Sequence, residues 1–236
     1  MKPDVAYLID TNILIDWACA LSPRLCGNDK WFDAKTAGRI RQFMEENQNP
    51  VYIPDLVWAE FLGVFLQKDL DMSLDLPKLK LRFRDLSGLV DQIDNKILGK
   101  PELKRVSVLD AGFIRSPFAV ADELARDIQI LSDQNLLNWL KRKSNQHRKG
   151  MEKILDGIDS ALIGYLYCLA EITPGQKIHF YTSDRRVEMF FSHIRNIHQN
   201  FPRNTGVFDA RRPMQNLSGR PRPSHDLTLK NWTSPS

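Results

Sequence analysis

Four acidic residues draw attention through what surrounds them. Asp10 closes the apolar run Val5-Ala6-Tyr7-Leu8-Ile9. Glu60 stands alone among Trp58, Ala59, Phe61 and Leu62. Asp159 precedes a stretch in which nine of the ten residues from Ala161 to Ala170 are apolar and the tenth is Gly164. Asp184 follows Ile178-His179-Phe180-Tyr181-Thr182 and Ser183. Carboxylates brought together repel one another strongly, and a divalent cation is the simplest compensation. Hard oxygen donors suit Mg²⁺ or Mn²⁺. Two such ions can activate water and steady the leaving oxygen in phosphodiester hydrolysis. Each acid taken singly has a plainer reading. An Asp after a strand is ordinarily a helix cap or turn residue, and a Glu on a helix ordinarily faces water. The argument for a site lies in their joint placement.

That placement depends on the elements between them. Residues 5–9 read as a buried strand, short, apolar and ended by polar residues. A helix is expected from about Asn12 to Ala20, then a loop over 21–36 broken by Ser22-Pro23 and Gly27-Asn28-Asp29. A polar helix runs from about Ala34 to Glu46. Val51-Tyr52-Ile53 is a second strand, ended by Pro54, which pre-sets the first turn of a helix from Asp55 to about Lys68. In that helix Leu56, Val57, Phe61, Val64 and Phe65 recur at helical spacing. A charged amphipathic helix spans 77–98 and stops at Gly99-Lys100-Pro101. Val106 to Leu109 is expected as the third strand. Ser116 caps a long helix that starts at Pro117 and continues through Leu140. An apolar helix runs from about Asp159 to Glu171 and ends at Thr173-Pro174-Gly175. Ile178 to Thr182 is a fourth strand, Arg185 to His198 a helix, and Gly206 to Phe208 a short fifth strand.

Strands that alternate with helices imply an α/β fold, with a mainly parallel sheet of four to five strands and helices on both faces. Reactions on such sheets occur beyond the carboxyl ends of the strands. Asp10 and Asp184 follow strands, while Glu60 and Asp159 lie near helix starts, so all four can point to that edge.

The composition, with 42% hydrophobic and 26% charged residues, is that of an ordinary globular chain with a core of normal size. The three cysteines, Cys19, Cys26 and Cys168, form no CxxC pair, so neither a disulfide framework nor a zinc site is suggested. No apolar run is long enough to span a bilayer, and a cytoplasmic location is expected. The net charge of +4 comes from the end of the chain: residues 200–236 hold six Lys/Arg against two acids, and residues 1–199 are balanced. This allows a polyanionic partner without requiring one. Within Lys141 to Lys149, the cations Lys141, Arg142, Lys143, Arg148 and Lys149 could grip phosphates, and a solvated helix end explains them equally well.

The motifs resemble those of the PIN domain family. YLIDTNILIDW is similar to its first strand and helix, VYIPDLVWAEFL to its second strand and Glu-bearing helix, and RVSVLD to its third strand region. GIDSALIGYLYCLAE resembles its acid-led apolar helix, and HFYTSDRRVEMF its strand followed by T-x-D. The likeness runs in order across residues 5–209. It implies a three-layer α/β/α PIN-like fold over 1–212, with a toxin-like core extended by a helical insertion or clamp over 69–150. A Pro/Arg/Ser-rich tail over 213–236 is expected to be extended or disordered.

Carried over residue by residue, the resemblance implies a Mg²⁺ or Mn²⁺ site at Asp10, Glu60, Asp159 and Asp184, with Asp156 as an alternative third acid. Asn12 would hold the turn, Thr11 would cap the first helix, and Ser183 would bind a phosphate or a water. The activity implied is endonucleolytic hydrolysis, of RNA in preference to DNA, leaving 5′-phosphate and 3′-hydroxyl ends. A toxin, an RNA-processing enzyme or a defence nuclease would all fit. An antitoxin or other protein partner, or a homodimer, is compatible with this reading. The alternative is a catalytically weak or inactive PIN-like module that binds RNA. A dehalogenase-type phosphatase is disfavoured because it needs a second Asp where Asn12 stands. A receiver-type phosphoacceptor would need an acidic pair near the first strand and a late Lys, neither of which is evident.

Overall fold

The first strand, β1 (Val5–Ile9), is the centre of the sheet. In the computed structural model, which describes residues 4–23, 33–68, 76–107, 112–131, 157–198 and 200–211, its residues Ala6 to Ile9 are buried. An unbroken apolar strand of this kind needs helices on both faces. The chain continues through α1 (Thr11–Leu21), α2 (Ala34–Glu46), β2 (Val51–Pro54), α3 (Asp55–Lys68), α4 (Leu76–Leu98) and β3 (Leu103–Val106). After these come α5 (Pro117–Leu131), α6 (Gly157–Ile172), β4 (Lys177–Thr182), α7 (Arg185–Ile197) and β5 (Thr205–Asp209).

The five strands form one sheet in the order β3-β2-β1-β4-β5, every pair parallel. The protein is thus an α/β chain with an all-parallel central sheet and seven helices among the described residues. The helices α1 to α4 pack mainly on one another, as do α5, α6 and α7, which is consistent with three layers. No helix among the described residues is long and apolar enough to cross a membrane.

The third strand differs from its expected place. It covers Leu103–Val106, starting three residues before the expected Val106 to Leu109, of which Val108 and Leu109 lie outside the described residues. Pairing sets its start: Leu103 to Val106 lie opposite Val51 to Pro54 in register. Strand preference depends on neighbours more than on intrinsic tendency. Pro54 is the last residue of β2 and not only the start of a helix. The described part of the segment 69–150 supplies α4, β3 and α5. The described part of α5 ends at Leu131, and residues 132–150 and 213–236 lie outside the described residues.

The helix α6 is buried over all ten residues from Ala161 to Ala170, as its composition foretold. It crosses α5 at Gly164, where an added Cβ would run into the Pro117 carbonyl and lie 3.2 Å from the Ala121 nitrogen. This close crossing holds the first turn of α6, and with it Asp159, against the body.

Candidate active site

The strand order creates a crevice. From β1 the chain moves outward to β2 and β3, and it then returns to the other side of β1 for β4 and β5. Connections leaving β1 and β4 therefore diverge, and ligands in open α/β sheets bind at such a switch point, beyond the carboxyl ends. The register pairs Ile9 with Tyr181, so the residues that follow, Asp10 and Thr182, come side by side at that edge.

Asp10 is 2% exposed and serves as the N-cap of α1. Its Oδ1 accepts from the Thr11 backbone N–H at 2.6 Å. Its Oδ2 accepts from the Thr182 hydroxyl at 2.8 Å and from the Asn12 amide at 3.2 Å. The Asp10 N–H itself donates to the Tyr181 carbonyl at 3.2 Å, tying α1 to β4. The Thr182 hydroxyl in turn accepts from the Asp184 N–H at 2.9 Å. One side chain thus fixes both acids: it gives its proton to Asp10 and its lone pair to the backbone of Asp184.

Burial pushes the Asp10 carboxyl up to about 6, against the pull of its three hydrogen bonds, and the charge of Asp184 adds to the rise. Desolvation disfavours the ionised form, and a neighbouring negative charge does the same. A cation at this point would relieve both.

The other acids lie on separate helices and are held differently. Glu60 is half-buried in the second turn of α3, and the Thr11 hydroxyl donates to its Oε2. Thr11 is therefore the first residue of α1 and the holder of Glu60, not the cap expected from sequence; Asp10 is the cap. Asp159 is 7% exposed in the first turn of α6. Ser183 and Asp184 are half-buried between β4 and α7, and Asn12 is exposed. Asp156 and the cations Lys141, Arg142, Lys143, Arg148 and Lys149 lie outside the described residues.

The structure thus joins Asp10 to Asp184 through Thr182, and Glu60 to the start of α1 through Thr11. Among the described residues, no three of the four acids bring ligand atoms within 4.8 Å of one another; the group that does so is Glu123, Asp127 and His198. That group already has partners. Arg115 pairs with Glu123, and His198 Nε2 lies 2.9 Å from Asp127 Oδ2, which clamps α5 to the end of α7.

Two residues escaped sequence reasoning. In sequence Thr182 is only the end of a strand, and in the fold its hydroxyl is the link between acids. Asp209, 9% exposed, lies opposite Thr182 in the β4–β5 register and is held by the Arg211 guanidinium at 2.8 and 3.2 Å. The signal for both is a polar residue at a strand's carboxyl end, and it becomes informative only once the strands are in order. No protein-family model, curated protein or solved structure matches the chain.

Proposed function

We propose that the chain is a divalent-metal-dependent endonuclease of the PIN type, hydrolysing single-stranded or structured RNA. The observation that carries this reading is the pair Asp10 and Asp184, joined by Thr182 at the switch point of a parallel sheet. The donor set fits a hard divalent ion, since the buried Asp10 carboxyl sits at about 6 beside a second carboxylate and both offer oxygen alone. In this reading Asp10 and Asp184 hold Mg²⁺ or Mn²⁺, with Asp159 and Glu60 as further ligands. Such an ion, when bound, supplies Lewis-acid charge at the phosphodiester.

The rest of the work falls to side chains. Thr182 keeps the two acids in fixed relation. The Asn12 amide and the Thr11 N–H orient the Asp10 carboxylate. The Thr11 hydroxyl holds Glu60 at the start of α1, from where it would orient water. Ser183, between Thr182 and Asp184, is the neutral donor for a phosphate oxygen.

The test is incubation of the purified chain with end-labelled single-stranded RNA and Mn²⁺. Cleavage to 5′-phosphate products is expected, with none in chelator and none for Asp10→Asn. A wild-type chain that leaves RNA and DNA intact in both Mg²⁺ and Mn²⁺ sinks the proposal. One observation favours the second reading, a PIN-like module that binds RNA without cutting it: no three of the acids draw together. RNA binding without cleavage is its signature.

A further inference from the structure

The helix α4 is longer than the sheet beside it. Its C-terminal half is fixed to the body, with Leu86, Leu89, Ile93 and Ile97 buried at helical spacing. Lys96 pairs with Glu45 at 3.0 Å, and Asp94 with Arg105 at 2.6 Å. Leu98 leads through a short turn into the start of β3, so this end of α4 lies at the amino edge of the sheet. Asp94 is already level with Arg105, the residue before the last of β3. Toward its N-terminus the helix therefore climbs past the carboxyl edge. At about 1.5 Å per residue, Leu76 to Asp85 add about 15 Å of helix beyond the packed part. Their exposure agrees: Lys78, Lys80, Leu81, Phe83, Arg84 and Asp85 are all exposed. Its length carries the arm beyond the carboxyl edge, the end of the sheet at which Asp10 lies.

Its sequence, LPKLKLRFR over 76–84, holds four cations and no acid, whereas the rest of residues 1–199 holds 23 cations against 27 acids. Lys78 and Arg82, and Lys80 and Arg84, are four apart and form two cationic ridges. Like charges at this spacing destabilise a helix, so an anionic partner would relieve the exposed pair Lys80 and Arg84. Asp85 lies 3.4 Å from Arg84, a distant and exposed pair. Beside the ridges Phe83 is 48% exposed and Leu81 51% exposed. Cations that track a backbone, interleaved with an aromatic ring that stacks on bases, are the means by which single-stranded nucleic acid is held without sequence preference.

We propose that the N-terminal arm of α4 is a single-stranded RNA grip, with Lys80 and Arg84 on phosphates and Phe83 on a base. It rests on the proposed function, because the strand it holds is the one that would enter the Asp10 crevice. An acidic protein would satisfy the cations but gives no use for the exposed ring.

The test measures binding of the full chain in chelator, so that no turnover occurs, by anisotropy of a fluorescein-labelled single-stranded RNA as salt is raised. Lys80→Glu with Arg84→Glu is expected to weaken binding at least about tenfold and to lower the salt slope by about 1.4, since each phosphate contact on a single strand contributes about 0.7. Phe83→Ala is expected to weaken binding about fivefold or more with an unchanged slope. Lys177→Glu with Arg203→Glu makes the same charge change at exposed sites by the amino edge of the sheet, and binding should stay within about twofold of wild type.

Equal losses in the two double variants, or none in the arm variant, overturn the proposal. So does a Phe83→Ala chain that changes from dimer to monomer while binding RNA fully, which assigns the arm to self-association. Failure of the nuclease reading looks different: a chain that binds RNA through α4 but never cuts it keeps the grip and loses the activity. A chain that cuts RNA and binds it fully without the arm does the reverse.

Discussion

The Thr182 hydroxyl donates to Asp10 Oδ2 at 2.8 Å and accepts from the Asp184 N–H at 2.9 Å, which links the carboxyl ends of two adjacent strands. Thr182→Val keeps the shape and removes both bonds. A buried acceptor that loses its donor costs roughly 1–3 kcal/mol, and the Asp10 carboxyl should rise further. The expected outcome is a loss of stability of this size with weaker Mn²⁺ binding and slower cleavage, all largely restored in Thr182→Ser. Chemical denaturation and metal titration read it. Full Mn²⁺ affinity in Thr182→Val would show that the hydroxyl does not position the acids.

In the proposed metal site, Asp10 would set function against stability. Its folded value, about 6, lies above the ordinary carboxylate value of 3.8. The unfolded chain therefore releases this proton more readily, and the folded wild type loses stability as pH rises from about 4 through 6. Asp10→Asn cannot ionise and escapes that loss. In chelator it should be more stable than wild type at pH 8, by at most about 3 kcal/mol for a shift of about two units. The gap should close as pH falls toward 4. Parallel denaturation curves at all pH values would refute the elevation.

Much of this architecture is readable from residue order, and the exceptions have physical causes. Asp33 accepts from the N–H groups of Lys35 and Thr36, so the start of α2 at Ala34 is written in a local cap. The apolar run of α6 and the buried run of β1 are equally local. The third strand is not: its start at Leu103 follows from pairing with β2, and within it Arg105 stacks 4.2 Å above Trp58 and pairs with Asp94. The candidate site divides in the same way. Asp10 and Asp184 are marked by the strands they follow. The bond that joins them spans 172 positions and depends on β4 lying beside β1, which no local pattern states.

His179 predicts the behaviour of the fold in acid. It is 7% exposed on β4, its ring centroid 4.6 Å from that of Phe208, and its Nδ1 is buried without a hydrogen-bond partner. Burial lowers its value to about 4, with Lys177 adding to the effect. The unfolded chain binds the proton at higher pH, so stability is complete above about 6.5 and falls as pH drops toward 4. The loss expected from this residue is about 3 kcal/mol. In His179→Leu that part of the acid slope should vanish, while the rest, due to carboxylates, remains. A slope identical to wild type would remove His179 as its source.

Gly164 tests whether the packing of α6 supports the site. In a free helix Ala is favoured over Gly by about 1 kcal/mol, so Gly164→Ala would stabilise if the space were open. The Pro117 carbonyl occupies that space and the Ala121 nitrogen lies 3.2 Å from the added Cβ. Two backbones must separate, and overpacking of this kind costs roughly 1–3 kcal/mol. The substitution is therefore expected to lower stability, against the helix preference. Asp159 stands five residues earlier on the same helix, so a displaced α6 moves that acid as well. Gly164→Ala should then cut Mn²⁺-dependent cleavage more than Gly88→Ala, which lies on α4 where an added Cβ meets nothing within 4 Å. A more stable Gly164→Ala chain would mean that α5 and α6 are not in such close contact.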